Sequence, residues 1–261
     1  MDKPDRFHNH AQNLKTTDTV TWQVICADGT QREKDEEVIT EHFTEVSVNG
    51  MPAFRLSCTP EHLTELVVGR LYTEGIITAA EDIKSLFICG EGNIAEVVLN
   101  DNAEFKPYTG HEPTCCTGNK QYMGRVKELL HLPETCVDRK AVFELAGKFV
   151  EDGKLHRTTG GSHSCYIRFE DGTTESFEDI GRHNALDKAV GHMLLEGKNP
   201  AGTMVFTTGR IAADMVEKTI AAGIPVLVSK AVPTTEAISM ARKYGLRIIC
   251  RAWPDSYCEL K

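Results

Sequence analysis

The chain has 261 residues, 41% of them hydrophobic, and 29 basic against 38 acidic side chains give a formal net charge of -9. That length and apolar content suffice for one large domain or two small ones with a proper core. The negative charge argues against broad nucleic-acid binding but allows a local basic pocket for one phosphorylated ligand. No apolar run approaches the ~18 residues of a membrane span, and Met1 to Val20 lacks a hydrophobic signal core. Nine scattered cysteines, an odd number, fit a reducing cytoplasm better than a disulfide framework.

Met1 to Thr19 has little to bury and reads as a disordered or loosely attached lead. Val20–Cys26 and Glu37–Val48 read as strands joined through a hairpin around Asp28-Gly29, and Asn49-Gly50 turns into Ala53–Cys58. Thr59-Pro60-Glu61 opens a helix with a capping hydroxyl, a first-turn proline and a carboxylate at the positive dipole end. Leu63, Leu66, Val67 and Leu71 form its apolar stripe and Gly75 ends it. Ser85–Cys89 and Ile94–Leu99 are strands around Gly90-Glu91-Gly92-Asn93. The G-x-G-x-x-A string there precedes a strand where a dinucleotide-binding turn requires a helix, so it reads as a hairpin turn.

Lys120–Leu132 reads as helical, with Met123, Val126, Leu129 and Leu130 on one side. Asp138 caps a helix through Val150, whose Val142, Leu145, Ala146 and Phe149 face inward before Gly153 stops it. Ser164–Phe169 and Thr173–Phe177 flank the hairpin signal Asp171-Gly172. Helices at Asn184–Leu195, Ile211–Ala222 and Thr234–Tyr244 then alternate with strands at Thr203–Thr207, Val226–Ser229 and Leu246–Cys250. Such alternation predicts parallel strands joined by right-handed crossovers with helices packed on the sheet, an α/β class that is α+β overall.

Four stretches carry candidate chemistry. Glu112-Pro113-Thr114-Cys115-Cys116-Thr117-Gly118-Asn119 has the composition of a loop. Adjacent Cα atoms lie ~3.8 Å apart, short of the about 4.4 Å a disulfide usually needs. A single carrier or nucleophilic thiolate is therefore simpler than a redox pair, and a small buried hydrophobe is the alternative. Thr207-Thr208-Gly209-Arg210 and Ser229-Lys230-Ala231-Val232-Pro233-Thr234 each follow a strand and open a helix, which suits phosphate oxygens as well as it suits ordinary turns and caps. Arg157-Thr158-Thr159-Gly160-Gly161-Ser162-His163 combines paired glycines with a titratable histidine. Asp179-Ile180-Gly181-Arg182-His183-Asn184-Ala185-Leu186-Asp187-Lys188 concentrates polar side chains at a helix start, with His183 and Asp187 on one face, and that density argues for a site.

The strings ELVVGRLYTEGII, TTGGSH, DIGRHNALDK, TTGR and AGIPVLVS, in order along a stretch from about Asn49 to about Trp253, resemble the motifs of the formate dehydrogenase accessory protein family, the FdhD-like sulfur carriers. The resemblance implies a cytidine deaminase-like C-terminal core over residues 141–261, after a lead (1–19), a smaller N-terminal sheet-and-helix part (20–112) and a cysteine loop with connecting helix (113–140). It implies a cytoplasmic sulfurtransferase loaded as a cysteine persulfide by a cysteine desulfurase. The sulfur passes to the molybdenum cofactor, bis-molybdopterin guanine dinucleotide, a transient substrate, before that cofactor enters formate dehydrogenase. A homodimer is expected, with no nucleic acid, no membrane and no resident metal.

By alignment on Lys120, Cys115 matches the family's persulfide cysteine. The second family cysteine falls on Gly118 and Cys116 stands where glycine is usual, so Cys116 is either a resolving thiol or incidental. The family's basic tail is replaced by Arg251-Ala252-Trp253-Pro254-Asp255-Ser256, with Trp253 at a matched arginine, which weakens phosphate binding or replaces it by ring stacking. Gly160, Gly161, His163, Arg182, His183, Arg210 and Lys230 are expected to shape the crevice for the pterin nucleotide's phosphates, with Arg251–Ser256 as its far wall. Arg210 and Lys230 would neutralise phosphate, and His163 or His183 would handle protons. Two rival readings stand beside this one. Zinc-dependent deamination lacks its ligands, since His163-Ser164-Cys165 supplies no glutamate and Thr208-Gly209-Arg210 no cysteine pair. A cofactor-binding chaperone that carries no sulfur is the stronger rival.

Overall fold

A computed structural model describes residues 6–100 and 129–260. The N-terminal strands are β1 (Phe7–Asn9), β2 (Thr17–Ile25), β3 (Gln31–Ile39), β4 (His42–Val48) and β5 (Met51–Cys58), followed by helix α1 (Leu63–Thr73) and strands β6 (Ile83–Ile88) and β7 (Ile94–Leu99). Among the described residues β2 and β3 pair only with each other, whereas the rest form a sheet of order β1-β6-β7-β4-β5. The strand expected over Glu37–Val48 is thus two strands in different sheets, parted at Thr40-Glu41, where Thr40 N–H turns back to the Thr16 carbonyl at 2.9 Å. The lead contributes β1, which runs parallel to β6 with Phe7 opposite Leu86. Every second residue of β4 from Thr44 to Val48 is buried, as a strand with one covered face requires.

α1 is apolar around most of its circumference and is buried accordingly. It begins later than Thr59-Pro60-Glu61 suggested: the N-cap is His62, at φ 55°, with no side-chain cap. Thr59 is engaged elsewhere, its N–H donating to Asp179 Oδ2 at 3.0 Å and its hydroxyl accepting from Lys188 Nζ at 2.8 Å. A capping hydroxyl had a stronger partner more than a hundred residues away.

The C-terminal half comprises α2 (Arg139–Asp152), α3 (Lys154–Thr159), β8 (His163–Arg168), β9 (Thr174–Asp179), α4 (Arg182–Leu195), β10 (Met204–Thr207), α5 (Ala213–Ala221), β11 (Val226–Ser229), α6 (Thr235–Tyr244), β12 (Arg247–Cys250) and β13 (Cys258–Glu259). The sheet order is β13-β12-β11-β10-β8-β9, with β10, β11 and β12 parallel, as the alternation of helices and strands predicted, and β8, β9 and β13 antiparallel. Alternate residues face opposite layers: Val205, Leu227 and Ile248 join the large core with α4–α6, while Phe206, Val228 and Ile249 meet Val142, Leu145 and Ala146 of α2. α3 and β13 had no sequence signal. The helix expected over Lys120–Leu132 lies mostly outside the described residues, and Leu129–Leu132 is not helical.

The two sheets are joined through α1 and α4. Gly69 and Gly191 let these helices approach until a Cβ at Gly69 would lie 1.8 Å from the Asp187 carbonyl oxygen, and one at Gly191 would lie 1.9 Å from that of Glu65. Two buried charge clusters lock the contact. Lys188 Nζ lies 2.8 Å from Asp179 Oδ2, whose other oxygen accepts from Gly181 N and Asn184 Nδ2, each at 2.9 Å. Lys218 Nζ lies 2.9 Å from both Asp187 oxygens, and Thr73 of α1 donates to Asp187 Oδ1 at 2.8 Å. Buried ions are tolerated when paired and fully hydrogen-bonded, as these are.

Candidate functional site

Strand polarity gathers the candidate loops on one edge of the C-terminal sheet. Thr207 of β10 lies beside Ser229 of β11 and opposite Cys165 of β8, and His163 lies opposite Asp179 at the end of β9. The exits of β9, β10, β11 and β12 and the start of β8 therefore share a rim, the edge where parallel strands hand over to helix N-termini.

The DIGRHNALDK motif divides there into two functions. Asp179, Asn184, Asp187 and Lys188 are buried in the clusters above and hold the fold, so Asp187 does not work with His183 as the shared helix face suggested. Arg182 and His183 instead turn to the rim. The Arg182 stem lies across the TTGR turn, where a Cβ on Gly209 would meet its Cδ at 3.0 Å. Its Nη2 is 3.8 Å from Asp214 Oδ2 in the first turn of α5, and Arg182 Nε is buried with no hydrogen-bond partner among the described residues. His183 Nε2 is 2.8 Å from the same Asp214 oxygen, a close imidazole–carboxylate contact without hydrogen-bond alignment. Burial alone would raise the Asp214 carboxyl; His183 and Arg182 override it and hold the group down at about 2.

His163 opens β8, with Nδ1 3.4 Å from Thr208 Oγ1. Burial, then the charges of Arg182, His156, Lys230 and His183, pushes its imidazole below the usual histidine range, which favours the neutral ring. Lys230 leaves β11 half-buried, its Nζ 4.5 Å from the centre of the Phe149 ring, and burial lowers its affinity for a proton. Ser229 Oγ donates to the Gly209 carbonyl at 2.7 Å and accepts from Ala231 N at 3.0 Å, tying the two exit loops together. Arg210 is exposed.

The far wall is pinned to the same exits: Arg251 N donates to the Ala231 carbonyl and Ala252 N to that of Ser229, both at 3.0 Å. Arg251 sits at φ 50°, Ala252 is buried under α2, and Trp253 is 44% exposed, its ring set edge-to-face with that of Phe149. Pro254, Asp255 and Ser256 are exposed, and Ser256 closes the turn by accepting from Trp253 N at 2.8 Å. Gly160 and Gly161 have different surroundings: Gly160 ends α3 at φ 65°, and a Cβ on Gly161 would meet Ile39 of β3 at 3.0 Å. Here the glycine pair admits a helix end and a close strand. Cys115 and Cys116 lie outside the described residues. Burial pushes the Cys58 thiol up to about 12 and also raises that of Cys165, so neither is a ready thiolate. Thr208 belongs to the strand-exit loop singled out in the sequence, whereas Asp214, Phe149 and His156 were passed over as site residues; Asp214 stands four residues after Arg210 and marks the same helix entry.

The strand exits of this α/β fold thus bring together a half-buried arginine whose buried Nε has no partner among the described residues, a half-buried lysine and a histidine shifted toward its neutral form, a set of groups chemically able to bind an anion. The model of the FdhD/NarQ family matches residues 39–257, and the chain belongs to that family. Its relatives include the sulfur carrier protein FdhD of Listeria innocua, 31% identical across 85% of this chain and 88% of the relative. Another, the sulfur carrier protein FdhD of Sulfurisphaera tokodaii, is 34% identical across 73% and 75%. The crystal structure of a protein from Desulfotalea psychrophila, described as a formate dehydrogenase accessory protein, has the same fold, with a TM-score of 0.77 at 24% identity over 95% of this chain and 97% of that one. No helix among the described residues is long and apolar enough to cross a membrane.

Proposed function

We propose that this chain is a cytoplasmic sulfur carrier for formate dehydrogenase, acting as a sulfurtransferase through a persulfide on Cys115. In the loading step the Cys115 thiolate attacks the outer sulfur of a cysteine desulfurase persulfide. The desulfurase S–S bond breaks, its cysteine leaves as thiolate, and no net oxidation occurs. The accepting substrate is the molybdenum cofactor as bis-molybdopterin guanine dinucleotide, with phosphates at the rim beside Arg182, Arg210 and Lys230. His163, shifted toward its neutral form, takes up the Cys115 thiol proton, and His163 or His183 delivers a proton to the departing desulfurase thiolate, so that the proton count balances. The observation that supports this reading best is family membership together with the buried Arg182 Nε at a strand-exit rim, which has no hydrogen-bond partner among the described residues.

Mass spectrometry after incubation with a cysteine desulfurase and cysteine tests the carrier. A one-sulfur adduct lost in Cys115→Ala and kept in Cys116→Ala is expected. No adduct with a competent desulfurase would leave the chain as a cofactor-holding chaperone, a reading favoured by glycine at 118 in place of the family's second cysteine. Arg210→Ala is expected to weaken guanine-nucleotide binding, and unchanged affinity in titration calorimetry would misplace the phosphate site. The working unit is a homodimer, which light scattering of the purified chain checks.

A further inference from the structure

Cys250 ends β12 and Cys258 begins β13, and the two are directly opposed in the antiparallel register. Leu260 N donates to the Ile248 carbonyl at 3.0 Å. Two residues along the ladder, Cys250 and Cys258 are therefore again a hydrogen-bonded pair, with Cα atoms about 5.5 Å apart and side chains on one face. That separation falls within the about 4.4–6.8 Å Cα span of disulfides, but a hydrogen-bonded pair holds its Cβ atoms about 5.5 Å apart against the roughly 3.5–4.5 Å a disulfide needs, so closing the bond draws the two-residue β13 toward β12. Both thiols are free; Cys258 is exposed and Cys250 half-buried. The chain between them, Arg251 to Tyr257, is the wall of the rim, held to β11 by the Arg251 and Ala252 amides, while β13 itself is only two residues long.

We propose that Cys250 and Cys258 form a reversible disulfide that clasps the Arg251–Tyr257 wall onto the sheet when the protein meets a low-molecular-weight disulfide. The exposed Cys258 thiolate attacks one sulfur of that reagent, the reagent's S–S bond breaks, and one small thiolate leaves. Cys250 then gives up its proton and attacks Cys258 sulfur in the mixed disulfide, releasing the second small thiol. The two protein thiols are oxidised by two electrons and the reagent is reduced to two thiols. Burial, reinforced by Cys258, raises the Cys250 thiol, consistent with its acting second.

Arg251 makes the product easy to read. Trypsin cuts after Arg247 and Arg251, so a Cys250–Cys258 bond joins peptide Ile248–Arg251 to Ala252–Lys261. The full chain is equilibrated with glutathione disulfide and glutathione at graded ratios, quenched with iodoacetamide and mapped. The expected result is the cross-linked peptide pair, lost on reduction, with both cysteines protected from alkylation. Cys250→Ser is expected to stop at a stable glutathione adduct on Cys258. Hydrogen exchange at the amides of Ala252–Tyr257 is expected to slow in the oxidised wild type. The proposal is overturned if both cysteines alkylate at every ratio, if either bonds to a different cysteine instead, or if the loop amides exchange equally fast in both forms.

Discussion

Gly191→Ala tests the contact on which the whole arrangement rests. The new Cβ would lie 1.9 Å from the Glu65 carbonyl oxygen and 2.9 Å from its Cα, the former about 1.5 Å inside van der Waals contact. The obstacle is helix backbone, so no rotamer change relieves it and α1 and α4 must part. Separation stretches the bond from Thr73 of α1 to Asp187 of α4, now 2.8 Å. Alanine's better helix propensity returns at most about 1 kcal/mol, whereas overpacking costs roughly 1–3 kcal/mol and occasionally more. With the buried charge contact also loosened, we expect a net loss of about 2–4 kcal/mol. Gly147→Ala is the control, because a Cβ there meets nothing within 4 Å in α2, and a gain of roughly 0.5–1 kcal/mol is expected. Urea unfolding of the two variants and wild type, compared at unchanged m-value, reads both. A Gly191→Ala protein as stable as wild type would refute the close packing of α1 on α4.

Lys188→Met leaves Asp179 buried without its cation and is expected to cost about 3–5 kcal/mol, measured by the same unfolding. Asp214 titrates in the folded chain at about 2 against an ordinary 3.8, so its stabilising contribution is present above the ordinary value and is lost as pH falls through the folded one. Asp214→Asn should therefore flatten the acid limb of thermal stability between about pH 4 and pH 2; identical slopes would show that the carboxylate is not held by His183 and Arg182. Cys58 and Cys165, fully buried with raised thiols, should react with iodoacetamide only once urea unfolds the chain, and labelling at native rates matching Cys258 would contradict their burial.

The alternation of strands and helices from Ser164 onward was legible because it is written in local periodicity, and β10, β11 and β12 are parallel as that alternation required. The hairpin at Asp28-Gly29 was legible for the same reason, with Gly29 at φ 84°. The break at Thr40-Glu41 was not, because strand propensity continues through it and only pairing partners separate β3 from β4. The polar residues of Asp179–Lys188 looked alike in sequence, yet packing buries Asp179, Asn184, Asp187 and Lys188 as ion pairs and hydrogen bonds, leaving Arg182 and His183 at the rim.

By itself, the sequence determined the fold class, the strand-exit loops and the family motifs, since turn chemistry, apolar period and motif spacing are properties of neighbouring residues. The tertiary structure alone decided that Thr59 is a partner of Asp179 and Lys188 rather than a helix cap, that Gly69 and Gly191 set a helix crossing, and that Asp214 serves His183. Each of those depends on a contact between residues far apart in the chain, whose energy exists only once burial has removed water and chosen the partner.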